Sequence, residues 1–328
     1  RSYLITIKKL AAGAHSRFGT PQIIFPHETQ MDIAAEKLGI DKVEIREKNV
    51  FRKGDITATG QKLDKSIGIL DTLLEGKKKF QWKKRKESTR KFNGTNKYKK
   101  RGIGVASLFY GVALGARGGP YQKGNALVSV SKDGSVNFGV GTVEMGQGMY
   151  TVLSQIVADT FGITVDDVGA TRTSTEKVSD SGPTVASRAT FISGNALREA
   201  GEMIKKNFIE FLLKEKKIKG RNNVEFTEGE ILKDGERIIG FRELCHEAWV
   251  NRVKMIESGW YLPPQTTYDE KNGQGDAYVV YSYVTNFAEV EVDLRSYRTE
   301  LIDLYSAEEF GRVINPKLAE GQIEGGNV

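Results

Sequence analysis

The chain has 328 residues, of which 39% are apolar and 28% charged, with 36 glycines and a formal net charge of +7. These values exclude a disordered or fibrous chain and leave room for two globular lobes with a sizeable core. One cysteine, Cys245, excludes a disulfide framework or thiolate cluster built within this chain and favours a cytoplasmic setting, and no window approaches the roughly 18 apolar residues of a membrane span.

The first readable segment, "PQIIFPHETQMDIAAEKLGIDKVEIREKNVFRKGD", predicts two helices. Met31, Ala34, Ala35 and Leu38 recur at helical spacing, with Pro26 near the start and Gly39 as the stop. Asp41 is the N-cap candidate of the second helix, and Val43 and Ile45 are its main apolar contribution.

Gly76 to Arg101 then hold 13 Lys and Arg against one Glu, a local charge of +12 that leaves the remainder of the chain negative. Phe80, Trp82, Phe92 and Tyr98 are interleaved with the cations, as a nucleic-acid surface with base stacking would require. Charge blocks are more often solvated, so 76–101 is read as a basic linker pinned by its aromatics, with subunit docking as the other use and no nucleic-acid partner expected. The chain divides accordingly into 1–75, the linker 76–101, and 102–328.

Beyond the linker the pattern changes to sheet. "NALVSVSKDGSVNFGVG" alternates apolar and polar residues around Asp133-Gly134, a hairpin signal, and leads into "GTVEMGQGMYTVLSQIVADTFG". There Val152, Leu153, Ile156, Val157 and Phe161 share a helical face that Gly162 stops. A second block repeats a small-residue turn before a helix: "GPTVASRATFISGNALREA" opens a helix expected near Ser193, with Leu197, Met203, Ile204, Phe208, Phe211 and Leu212 as its stripe. Peptide N–H groups at such helix starts favour anions, yet neither turn has the spacing of a P-loop or a GxGxxG fingerprint. Further on, Ala288, Val290 and Val292 alternate with Glu289, Glu291 and Asp293, which reads as a strand with its acidic face in water. Hairpins mixed with helices give an α+β fold of mixed sheets with flanking helices. His15, His27 and His246 are scattered, so no protein ligand to a metal is expected, and Cys245 reads as a buried structural thiol.

Taken in order, "GAHSRFGTPQ", "VGTVEMGQGMYTVLSQIVAD", "GPTVASRATFISGNALREA" and "AEVEVDLRSYRTELIDLYSAEEFGRVINPKLAEGQIEGG" closely resemble the molybdopterin-binding subunit of the xanthine oxidase family of molybdenum hydroxylases. The resemblance covers nearly all of the chain outside 77–100, and implies two lobes of the molybdenum-cofactor-binding domain. It places the pterin and the metal's ligands near Gly146, Gln147 and Gly148. The dithiolene and phosphate region falls at Ser187, Arg188, Ala189 and Thr190, and the pyrophosphate of a cytosine-dinucleotide form at Ser193, Gly194 and Asn195. Ser16, Arg17, Phe18 and Gly19 match an active-site wall, although the family pattern has arginine then glycine where this sequence has Ser16 then Arg17.

The implied chemistry is hydroxylation of an electron-poor carbon in an N-heteroaromatic ring or an aldehyde, with oxygen from water and electrons leaving through [2Fe-2S] clusters and FAD on partner subunits. Some relatives instead reduce an aromatic thioester. The family's catalytic glutamate follows the GQxEGG block in a GVGE-like segment, and this chain ends at Val328, two residues past that block. No catalytic residue is therefore nominated, and the chain is expected to be part of a longer polypeptide or one subunit of a split domain. A noncatalytic assembly subunit that keeps the fold is the alternative.

Overall fold

The computed structural model describes residues 19–327, and contacts divide the chain into two compact units that interleave along the sequence. Each mixes helices with small sheets, in keeping with the expected α+β class.

The first unit takes in the described residues up to Thr57, then Lys62–Tyr110 and Val280–Gly311. Helix α1 (Thr20–Leu38) ends at Gly39, whose φ of 66° is the left-handed cap that the sequence predicts. It starts earlier than the apolar spacing suggests, so Pro26 lies inside it. Helix α2 (Lys42–Asn49) is capped by Asp41, which accepts from the Val43 N–H at 2.9 Å, and Val43 and Ile45 are buried as expected.

The stretch read as a linker is helical and packed. It forms the end of α3 (Ile69–Lys79), then α4 (Trp82–Thr95) and the start of β1 (Lys99–Gly111). Strand β1 joins β11 (Tyr281–Asp293) and β12 (Thr299–Glu309) in a sheet of order β1-β11-β12. Phe80 and Trp82, 1% and 3% exposed, lie against Phe287 of β11 with ring centroids 5.4 and 5.9 Å away.

The acidic face of β11, expected in water, is the covered one. Tyr283, Thr285, Phe287, Glu289 and Glu291 are all buried, whereas Ala288, Val290 and Val292 are only partly so. The basic stretch makes this burial tolerable: Lys99 reaches Glu291 at 2.7 Å, and Arg101 reaches the same carboxylate at 3.1 Å. A buried carboxylate needs such partners to stay charged. Charge patterning alone points the strand the wrong way.

The second unit takes in Ala58–Gln61, Gly111–Val279 and the described residues from Arg312 onward. Strands β2 (Gly124–Val130) and β3 (Val136–Val140) form the predicted hairpin, with Gly134 at a φ of 88°. From β3 the chain passes through the glycine turn into α5 (Met149–Phe161) and returns as β4 (Val168–Ala170), parallel to β3. Helix α6 (Gly194–Lys214) packs on this sheet, whose order is β4-β3-β2-β8 with β8 at Ile256–Tyr261. A smaller sheet of β5 (Val224–Thr227), β6 (Glu230–Lys233) and β7 (Glu236–Gly240) precedes α7 (Phe241–Val250). A short ribbon of β9 (Tyr268–Asp269) with β10 (Gln274–Gly275) and helix α8 (Pro316–Asn327) complete the unit.

Leu153, Val157 and Phe161 of α5, and Leu197, Ile204, Phe208, Phe211 and Leu212 of α6, form the core as their spacing predicts. Met203 departs from that stripe at 38% exposed. Cys245 is fully buried, and burial pushes its thiol pKa up to about 12. Among the described residues no helix is long and apolar enough to cross a membrane, and no cluster of His, Cys, Asp and Glu offers a metal its ligands.

Candidate functional site

Three residues in a row leave β3 and bond to the second small-residue block. The Gly141 N–H donates to Ser181 Oγ at 3.2 Å, and the Val143 N–H donates to Thr184 Oγ1 at 2.9 Å. Between them, Thr142 Oγ1 lies 2.5 Å from Ser193 Oγ, with both residues 1% exposed. Ser181 in turn donates to the Asn125 carbonyl of β2 at 3.0 Å. The stretches that lead into the turns around 146–148 and 186–190 are therefore bonded to each other within one unit.

The first turn is shaped by glycine where side chains fail. Gly146 has a φ of 104° with open space where a Cβ would stand, and Gly148 has a φ of 76° with Leu318 of α8 only 2.8 Å from such a Cβ. Gln147 folds back on its own loop: its Oε1 accepts from the Met145 N–H at 2.5 Å and its Nε2 donates to the Val143 carbonyl at 2.8 Å. An amide has two N–H groups and two lone pairs on its oxygen, so each end keeps capacity for another partner.

The expectation that this turn offers its peptide N–H groups to an anion needs correction. Gly146 and Gly148 both donate to Glu144 Oε1, at 2.8 and 3.1 Å, and Tyr150 donates to Glu144 Oε2 at 3.2 Å. The start of α5 already holds a carboxylate from its own chain, which satisfies donors that a helix otherwise leaves unpaired. Burial by itself raises the Glu144 carboxyl, and these N–H groups outweigh it and hold the pKa below its ordinary value.

The second turn also differs from its reading. Helix α6 starts beside Ser193 as expected, but a π-turn, Ala189–Ser193, runs into it without a break. The Gly194 N–H donates to the Ala189 carbonyl, Ser193 and Gly194 are buried, and Asn195 caps the Phe191 carbonyl at 2.7 Å. Donors without a preceding turn to accept them thus belong to residues near Ala189 and Thr190, not to 193–195. Just before them, Ala186 and Ser187 have φ values of 54° and 53°. Two consecutive non-glycine residues in the left-handed region carry strain that the surrounding contacts must hold in place.

Arg188 supplies that hold. It is 1% exposed, and its guanidinium donates to the carbonyls of Ser181 and Pro183 at 2.8 Å each and of Lys123 at 2.6 Å. Burial lowers its pKa from the ordinary arginine value, with Asp180 acting in the opposite sense. Its Nε is buried without a partner among the described residues. Ser187 and Thr190 are exposed beside it, and Ala189 is half-buried.

Of the remaining sequence candidates, Ser16, Arg17 and Phe18 lie outside the described residues. Gly19 is the N-cap of α1 with a φ of 86°. Spacing gives no signal for the anchors Thr142, Ser181 and Thr184, whose partners are distant in sequence. Glu144 does leave one: an acid just ahead of a predicted helix start suits the helix dipole. A cavity of about 830 Å³ lined by Asp159, Thr164, Asp167, Phe226 and Arg242 lies at the opposite, C-terminal end of α5 and is separate from these turns.

Glycine-shaped open space at Gly146, donors near Ala189 and an unpaired buried Nε on Arg188 together fit a ligand rich in oxygen and nitrogen, with its anionic end at the second turn. Comparison with known proteins gives the same direction. Models for molybdopterin cofactor-binding domains match residues 75–328 and 1–50. The xanthine dehydrogenase molybdenum-binding subunit of Escherichia coli O157:H7 is 31% identical over 330 residues, covering 96% of this chain and 40% of that protein. A nicotinate hydroxylase from Emericella nidulans is 29% identical over 313 residues, covering 94% of this chain and 22% of its own length. The aldehyde oxidoreductase structure from Desulfovibrio desulfuricans superposes with a TM-score of 0.76 at 25% identity, covering 94% of this chain and 30% of that one. The chain thus spans less than half the length of each of these relatives.

Proposed function

Since the chain belongs to the molybdopterin cofactor-binding domain family, we propose that it serves in the molybdenum-binding subunit of an oxidoreductase of the xanthine dehydrogenase and aldehyde oxidoreductase type. The observation that supports this reading is the three-bond seam at Gly141, Thr142 and Val143, which ties the stretches carrying the two turns to each other.

When bound, a molybdenum–molybdopterin group supplies hydroxylation of an electron-poor carbon, in an N-heteroaromatic ring or an aldehyde, with oxygen from water. The residues of this chain bind and orient. Gln147 offers the remaining N–H of its amide from a turn whose backbone is fixed by Glu144. Ser187 and Thr190 present hydroxyls, and the peptide groups near Ala189 suit a phosphate. Arg188 locks the strained turn that carries them. Our reading takes the cofactor as the cytosine-dinucleotide form, with Ser193–Asn195 acting through the position of the π-turn and not as direct donors. Electron transfer to [2Fe-2S] and FAD partner subunits belongs to the same proposal, as does a cytoplasmic location.

Metal and pterin analysis of the purified complex tests this. About one molybdenum per chain with a pterin signature supports it, and repeated absence of both sinks it. The same measurement decides the second reading, a noncatalytic assembly subunit. That reading draws on the internal satisfaction of the Gly146 and Gly148 donors by Glu144.

A further inference from the structure

Glu144 stands out because its carboxylate turns back on the loop that follows it. The acceptor Oε1 takes the N–H groups of Gly146 and Gly148, which flank Gln147, while Oε2 takes the N–H of Tyr150 in the first turn of α5. The two glycine φ values of 104° and 76° permit a loop this tight, but they do not select it, since glycine samples many conformations. What selects it is an anion at the centre of three converging donors.

We propose that Glu144 is the positioning residue of the 146–148 turn: an internal anion that closes the N-terminus of α5 and sets the direction in which the Gln147 amide faces the cofactor. Two consequences follow from the geometry. No phosphate competes for these N–H groups, so the ligand meets this turn through Gln147 and the open side of Gly146. The turn is also pre-shaped before the ligand arrives, which removes an ordering cost from binding. The inference rests on the cofactor reading above for what Gln147 faces, and on the hydrogen bonds alone for what Glu144 holds.

The test compares Glu144→Gln and Glu144→Asp in the assembled complex, reading amide hydrogen exchange over Met145–Tyr150, molybdenum per chain, and kcat against KM. If charge holds the turn, the nearly isosteric Glu144→Gln speeds exchange there by at least about tenfold, as expected when a charge-assisted bond becomes a neutral one. Molybdenum content or kcat then falls several-fold with KM little changed, and Glu144→Asp, which keeps the charge, recovers part of both. If the side chain only fills space, the order reverses, with Glu144→Gln silent and Glu144→Asp harmful; that overturns the proposal. Faster exchange in Glu144→Gln with full molybdenum and wild-type kcat overturns it too, because the turn then does not position the cofactor. A wild-type complex without molybdenum sinks the cofactor reading instead, and the exchange measurement still decides whether Glu144 holds the turn.

Discussion

Arg85 of α4 and Glu289 of β11, 204 positions apart in sequence, meet at 2.7 Å, and a second guanidinium nitrogen of Arg85 reaches Asp303 of β12 at 2.5 Å. With Glu289 only 7% exposed at its side chain, removing Arg85 leaves this nearly buried carboxylate only the longer, 3.7 Å approach of Arg101. Arg85→Ala should therefore cost about 3 kcal/mol in urea unfolding. Adding Glu289→Gln should return part of that loss, because the buried charge is then gone and only the more exposed Asp303 still lacks Arg85. Lys83→Ala and Lys84→Ala, on the exposed face of the same helix, should each stay within about 0.5 kcal/mol. Equal costs on both faces would contradict the two-sided role of this helix.

Why this arrangement escapes a reading of the sequence is a matter of distance along the chain. The alternation in β11 shows that two faces exist, and by local pattern the apolar Val290 and Val292 mark the covered one. That inference reverses once Arg85, Lys99 and Arg101 arrive from the basic stretch, and nothing local to either segment announces the other. Legible features are those that local chemistry decides: the Gly39 and Gly162 caps, Asp41 at the start of α2, the hairpin at Gly134, and the stripes of α5 and α6. At the site, the order of the motifs and the start of α6 beside Ser193 are legible, while the π-turn that precedes that helix leaves no signal in the 3.6-residue period.

Gln147 ties its loop with one N–H of its amide, and a second N–H remains for the cofactor that we propose. Gln147→Ala should lower kcat of the assembled enzyme on the order of a hundredfold, as loss of a preorganised donor does, with the circular dichroism spectrum unchanged. Wild-type turnover in a well-folded variant would remove Gln147 from the site.

At Gly148 two costs add, one conformational and one steric. Gly148→Ala should destabilise the chain by about 1–3 kcal/mol, since its φ is 76° and the new Cβ meets Leu318 at 2.8 Å. Pairing it with Leu318→Ala should relieve the steric share alone, as a double-mutant cycle can show. Gly146→Ala meets only the conformational cost, because open space surrounds that position.

Arg188→Lys should loosen the second turn, since an ammonium cannot span the carbonyls of Lys123, Ser181 and Pro183 as a planar guanidinium does. We expect a loss of about 2–4 kcal/mol, with new protease cuts around 181–190. Resistance to proteolysis equal to wild type would show that the strained residues are held by something else.

Cys245 provides a check in alkali. Its thiol pKa is raised to about 12 in the fold, against roughly 8.5 in an unfolded chain, so both states carry the proton below pH 8. Between those values the unfolded chain gives up the proton and the native one keeps it, so stability falls as pH rises through this window. Comparing urea unfolding at pH 7 and pH 10, the decline should be smaller in Cys245→Ala. An identical decline would mean that the thiol is not what titrates.

The π-turn at Ala189–Ser193 has one more consequence, which concerns phase. A π-turn accommodates one residue more than the α-helix that follows it, so the chain before it is rotated by about 100° relative to where an uninterrupted helix would put it. Deleting one residue within 189–193 would swing Ser187 and Arg188 around the axis of α6 and pull the buried guanidinium off its three carbonyls, while the stripe of α6 keeps its own register. The direction of the 186–188 turn and the packing of the helix behind it are therefore set by different residues, the π-turn for one and the apolar stripe of α6 for the other.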